Sequence, residues 1–146
     1  MINFCYYDST EKIKISCSLS LSREYFFYIM EDPTIVKILQ ENGEINDELD
    51  YAIMNYLIQN RGPGLTACQP TLIELEGGKK AIKMDLDNTF VDNNNQLMGL
   101  GIVGKIYIDY ETLQVIFCTP LEELESNIKK LKDAGIEPQN RPKGKY

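Results

Sequence analysis

The chain has 146 residues, 43% of them hydrophobic and 25% charged, with a formal net charge of −7 and no histidine. This length and balance suit one globular body, able to bury about 70% of its unfolded surface without a disulfide or metal staple, and exclude global disorder. The missing imidazole excludes His-based triads, Cys2His2 zinc sites and histidine general bases, and the negative field disfavours duplex DNA and anionic membranes while leaving basic proteins as partners.

The acidity is lopsided: residues 1–60 hold ten acidic and four basic side chains, and so carry six of the seven net negative charges. No apolar run approaches the roughly 18 residues of a membrane span. The start, Met1-Ile2-Asn3-Phe4, lacks the basic and apolar regions of a signal peptide, so a cytoplasmic protein is expected. Cys5, Cys17, Cys68 and Cys118 show no C-x-x-C pairing and read as reduced, mostly buried thiols. No metal or cofactor is expected.

In chain order, residues 2–7 are rich in strand formers and residues 8–11 supply a turn. Ile13, Ile15, Cys17, Leu19 and Leu21 then alternate with polar residues, the period of a strand with one apolar face. Ser22 caps a helix bearing Tyr25, Phe26 and Ile29, which Asp32-Pro33 stops. The stripe Ile35, Val36 and Leu39 predicts a second helix over residues 33–42, capped by Asp32 and ended by Gly43. Asn46 caps a third, with Leu49, Ile53, Tyr56 and Leu57 on one buried face and Asp47, Glu48 and Asp50 in its first turn, where negative charge suits the helix dipole.

Residues 60–70 read as a loop, followed by a strand through Leu72, Ile73 and Leu75, a Gly77-Gly78 hairpin turn and a return strand over residues 81–86. Residues 88–96 form a polar loop. A strand over residues 102–110, a turn at 111–113 and a partner strand over 114–118 come next. Thr119-Pro120-Leu121-Glu122 spells a capping box, opening a helix with Leu121, Leu124, Ile128 and Leu131 on one face, an expected Glu125–Lys129 pair and Gly135 as its stop. Residues 136–146 are taken as a basic flexible tail beyond a single domain of residues 1–135.

Two strings invite a chemical reading. Asp85-Leu86-Asp87-Asn88-Thr89 resembles the D-x-D-x-T signature of haloacid-dehalogenase-type phosphatases, in which the first Asp is the nucleophile, the second the acid/base and Mg2+ neutralises the phosphate. In that family the motif follows a buried parallel strand. Here it follows Lys79-Lys80-Ala81-Ile82-Lys83-Met84, whose alternation fits an antiparallel hairpin ending in an Asp/Asn turn. Asp85, Asp87 and Asp92 would converge on a cation only if the loop folds back. Gly99-Leu100-Gly101-Ile102-Val103-Gly104 spells G-x-G-x-x-G but precedes a strand where a dinucleotide fingerprint needs a helix, so the glycines read as a bend or close backbone approach.

The expected fold is α+β: an antiparallel twisted sheet of about five or six strands with helices packed on one face. The leading functional reading is a non-catalytic intracellular regulatory or protein-interaction protein. Its binding face would combine Tyr25, Phe27 and Tyr28 with Glu44, Asp47, Glu48 and Asp50. A small Mg-dependent phosphoryl-transfer enzyme using Asp85 and Asp87 is the alternative, and a small-ligand module under the glycine strand a second. The expected partner is a protein, with room for a basic one, and no duplex DNA or membrane; an open sheet edge would also admit a homodimer.

Overall fold

The computed structural model describes residues 6–8, 12–14 and 31–141. Residue contacts group the chain into two compact units, Met1–Asp32 and Pro33–Tyr146, where the sequence reading takes residues 1–135 as one body. In the first unit, β1 (Tyr6–Asp8) pairs antiparallel with β2 (Lys12–Lys14), Tyr7 opposite Ile13, as the turn at residues 8–11 predicts. The strand expected onward to Leu21, the helix expected after Ser22, and the aromatics Tyr25, Phe27 and Tyr28 lie outside the described residues.

The second unit is an antiparallel six-stranded sheet with two helices, an α+β fold. Its strands are β3 (Ile35–Glu41), β4 (Leu65–Leu75), β5 (Lys80–Val91), β6 (Leu97–Asp109), β7 (Val115–Cys118) and β8 (Gln139–Asn140). Strands β3 to β7 lie in sequence order, and β8 joins the edge of β6 that β7 also uses. Helix α1 (Asp47–Asn60) follows β3, and α2 (Leu121–Asp133) follows β7.

Ile82, Met84 and Leu86 on β5 face the same way as Ile106 and Ile108 on β6. With Leu49, Ile53 and Leu57 of α1 and Leu124 of α2, all buried, they form the core between sheet and helices. The other sheet face carries Cys68, Ile73, Asp87 and Tyr107, also buried, with Tyr107 edge-on to Phe117 at 5.9 Å between ring centres.

Several elements depart from the sequence expectation. The helix predicted over residues 33–42 is strand β3. Its pairing with β4 shifts between Ile35 and Lys37 and again between Ile38 and Gln40. Two bulges therefore stretch the strand period from two to three, so Ile35, Ile38 and Glu41 oppose Leu75, Ile73 and Thr71. The predicted stripe Ile35, Val36 and Leu39 fits one side of a helix by its i, i+1, i+4 spacing, whereas β-branched Ile35, Val36 and Ile38 supply the residue types a strand prefers.

The predicted loop over residues 60–70 is shorter, because β4 begins at Leu65. Proline cannot donate to a ladder, and Pro70 sits in a register shift between Cys68 and Thr71, beside Gln69 at φ 56°. The loop predicted over residues 88–96 contracts to residues 92–96, since β5 runs to Val91 and β6 starts at Leu97.

The capping box does not form. The Thr119 hydroxyl accepts the Lys105 N–H at 2.9 Å and donates to the Lys105 carbonyl at 3.3 Å, so it is tied to β6 and Pro120 takes the N-cap position without a side-chain bond. Lys129 makes its ion pair with Asp133 at 2.7 Å, one turn beyond the expected Glu125. The tail is held as far as Arg141: β8 pairs with Met98 and Gly99, and the Arg141 N–H donates to the Leu97 carbonyl at 2.8 Å. Other signals read as predicted. Asn46 accepts the Leu49 N–H at 2.8 Å, and Gly77-Gly78 turns β4 into β5 with both φ angles positive.

Candidate functional site

The acidic string lies in the middle of the sheet. Asp85, Asp87 and Thr89 share one face of β5, in an extended strand that continues past them to Val91. The Asp87 side chain is 1% exposed. Its Oδ2 accepts Arg141 Nε at 2.8 Å and its Oδ1 accepts the Gly101 N–H at 3.0 Å, so both oxygens are engaged within the protein. Asp85 binds Lys83 Nζ at 3.1 Å, two residues back on the same face, and the Thr89 and Thr66 hydroxyls meet at 2.7 Å. The two carboxylates project from positions roughly 7 Å apart along the strand, one bonded inward and one paired with lysine. This arrangement offers no nucleophile and acid/base pair to a phosphate.

The predicted Asp/Asn turn forms later, at Asp92, whose Oδ1 accepts the Asn94 and Gln96 N–H groups, each at 2.9 Å. Asp92 lies five positions beyond Asp87, about 16 Å along an extended chain at the usual rise. The loop does not fold back, and no group of three His, Cys, Asp or Glu among the described residues is placed to hold a metal ion.

The glycine string explains the same region from the other strand. Strand β6 carries Val103 and Leu100 as extra residues in its pairing with β5, and the glycines stand beside them. A Cβ on Gly99 would lie 2.6 Å from Asp87 Oδ2 and would strike the Arg141 guanidinium. A Cβ on Gly104 would lie 2.6 Å from Leu124 Cδ2 and 2.8 Å from Thr119 Oγ1. The string thus lets Arg141 reach Asp87 on one face and α2 approach on the other. Between β7 and β8 the open edge of β6 is served by Asn127, whose amide donates to the Val103 carbonyl at 2.8 Å.

Among the described residues, Cys68 and Cys118 are buried thiols. Burial, reinforced by the charges of Asp87 and Asp85, pushes Cys68 up to about 12, and burial pushes Cys118 up to about 11 against the opposing pull of Arg61. Arg61 closes the far end of α1, donating to the Thr119 carbonyl at 2.8 Å and the Cys118 carbonyl at 3.1 Å.

The acidic residues sit differently. Glu44, Asp47, Glu48 and Asp50 are all exposed, around the start of α1. No lysine or arginine lies between Lys37 and Arg61. Asp47 and Asp50 line a cleft of about 540 Å3 whose other walls include Asn42, Gly43, Gln69 and Met84. Sequence patterning missed two residues here: α1 also exposes Tyr51 and Ile58, at 73% and 60%, on the side away from its buried stripe. Their signal was the absence of any charge over residues 51–60, which is unusual for the outer side of a surface helix. The Arg141–Asp87 bond was missed as well, since nothing local connects residues so distant in sequence.

The edge strand β3 exposes Ile35, Val36 and Ile38, yet carries two bulges and Lys37, devices that discourage edge-to-edge pairing. No helix among the described residues is long and apolar enough to cross a membrane. Comparison with family models, curated proteins and solved structures finds no match to this chain.

Proposed function

We propose that this protein is a non-catalytic interaction protein that receives a basic segment of another protein on the acidic start of α1. The observation that carries the reading is the exposed set Glu44, Asp47, Glu48 and Asp50, in a stretch of sequence with no lysine or arginine between Lys37 and Arg61, with two of its carboxylates on the wall of a 540 Å3 cleft. A lysine or arginine entering there meets carboxylates that no ion pair among the described residues occupies. The acids also stabilise α1 through its dipole, so their placement serves the fold and the surface together.

Exposed ion pairs contribute at most about 1 kcal/mol each and are screened by salt, so this face steers and orients a partner more than it holds one. Catalysis finds no support in the described groups: Asp87 is bonded inward and both described cysteines remain thiols near neutral pH.

The test is affinity capture from the native lysate with the full chain, beside a variant carrying Glu44→Gln, Asp47→Asn, Glu48→Gln and Asp50→Asn. A basic protein retained in near-stoichiometric amount by the parent and lost from the variant is the expected result. Equal retention by both, or no retained protein, would remove this reading.

A further inference from the structure

The two helices on this sheet treat solvent differently. Helix α2 turns Leu124 inward and covers its outer side with Glu122, Glu123, Glu125, Lys129 and Lys130. Helix α1 turns Leu49, Ile53 and Leu57 inward, but its opposite side is Asp47, Tyr51, Met54 and Ile58, at spacings of four, three and four. At 100° per residue these four fall within a narrow stripe facing away from the core. Tyr51 is 73% and Ile58 60% exposed, Met54 is half-buried, and no charge interrupts the helix after Asp50.

Single exposed apolar residues are ordinary on a protein surface. Here a tyrosine, a methionine and an isoleucine are aligned, and the line begins at the acids Asp47, Glu48 and Asp50. From the acidic-face reading, on which this step rests, we infer that α1 docks a basic amphipathic helix of a partner protein along the Asp47–Tyr51–Met54–Ile58 stripe. Charge complementarity sets the partner's sign, because no basic residue occurs on α1. The convex apolar stripe sets its form. A helix brings its own backbone hydrogen bonds satisfied and packs ridge into groove, whereas an extended segment would lay unpaired amides on Tyr51 and Ile58. Tyrosine provides a large anchor with few torsions to fix, and the flexible methionine adapts to its neighbour.

The probes are two synthetic peptides of identical lysine and leucine content, one ordered as an amphipathic helix and one scrambled so that leucines point all round. Binding to the full chain is followed by fluorescence anisotropy and by backbone amide shifts. The expected result is tighter binding of the amphipathic peptide, with shifts centred on residues 47–58. The pair Tyr51→Gln and Ile58→Gln, exposed positions given a good helix former, should weaken that peptide about tenfold or more and leave the scrambled one unchanged.

Equal binding of both peptides, insensitive to Tyr51 and Ile58 but lost on neutralising the acids, would overturn the stripe while sparing the acidic face. Binding of neither peptide would overturn both. A dimer of the chain itself that dissociates on Tyr51→Gln and Ile58→Gln would assign the stripe to a second copy and overturn the proposal.

Discussion

Arg141 and Asp87 stand 54 positions apart in the chain and meet at 2.8 Å, tying the end of the described chain to the centre of the sheet. The carboxylate is 1% exposed and the arginine side chain 22%, so the bond lies largely out of water. Asp87 belongs to the string that most resembles a catalytic motif, and the structure gives it the work of a buried anchor.

Removing Arg141 leaves that buried carboxyl with only the Gly101 N–H. Breaking a buried ion pair from one side costs about 3–5 kcal/mol, and the partial exposure of Arg141 places Arg141→Ala near the lower figure. Urea unfolding of Arg141→Ala, Asp87→Ala and the double variant should show coupling above about 1 kcal/mol between the two sites. A single-variant loss below about 0.5 kcal/mol would show that the bond carries no weight.

Gly99→Ala should disturb the same anchor from the opposite strand. The new methyl would lie 2.6 Å from Asp87 Oδ2 and strike the arginine, while Gly43→Ala meets nothing within 4 Å. Overpacking of this kind costs about 1–3 kcal/mol, against roughly 0.5 kcal/mol or less for the control, whose methyl enters open space. Thermal melts of the two variants side by side test the difference, and equal melting temperatures would contradict it.

Cys68 and Cys118, each 1% exposed and raised to about 12 and about 11, should resist iodoacetamide at neutral pH until the protein unfolds. Peptide mapping after native and urea-treated alkylation reads each site separately. Rapid native labelling of Cys68 would place a reactive thiolate where the structure has a buried thiol.

Asp109 responds to acid with a defined sign. Its carboxylate accepts the Glu111 N–H at 2.8 Å and the Thr112 N–H at 3.0 Å, and Lys79 lies 3.4 Å away. The backbone donors, first Thr112 and then Glu111, hold its carboxyl below the usual carboxylate range, with Lys79 adding to them. A folded value below the unfolded one means that its stabilisation is complete above about pH 4 and drains as pH falls through the folded value. The difference in urea midpoint between the parent and Asp109→Asn should therefore hold steady near neutrality and shrink below about pH 4. A difference unchanged in strong acid would contradict the bonds to Glu111 and Thr112.

How far the sequence could be read depended on the range of the interactions involved. Helix α1 is local: Asn46 caps it, Leu49, Ile53 and Leu57 mark its inner face, and both signals lie within a few residues. The hairpin at Gly77-Gly78 is local too. Strand β3 was misread because its pairing with β4 decides it, and the i, i+1, i+4 spacing of Ile35, Val36 and Leu39 looks helical when that partner is unknown. The capping box failed for a similar reason: β6 competes for the Thr119 hydroxyl, and Lys105 wins it.

The candidate site divides the same way. Exposure of Glu44, Asp47, Glu48 and Asp50 follows from charge and position at a helix start, both visible in the chain. The outward stripe of Tyr51, Met54 and Ile58 was present as a charge-free run, yet became meaningful only once Leu49, Ile53 and Leu57 were known to face the sheet.

By itself the sequence determined the α+β class, the cap and inner face of α1, the tight hairpin and the acidity of one segment, because each arises from contacts within a few residues or from composition. Only the tertiary structure decided that Asp87 is an anchor, that Gly99 and Gly104 are points of close approach, and that the tail to Arg141 belongs to the sheet. Those outcomes depend on which groups meet across dozens of residues, and a carboxylate's role follows from the donors that reach it rather than from its neighbours in the chain.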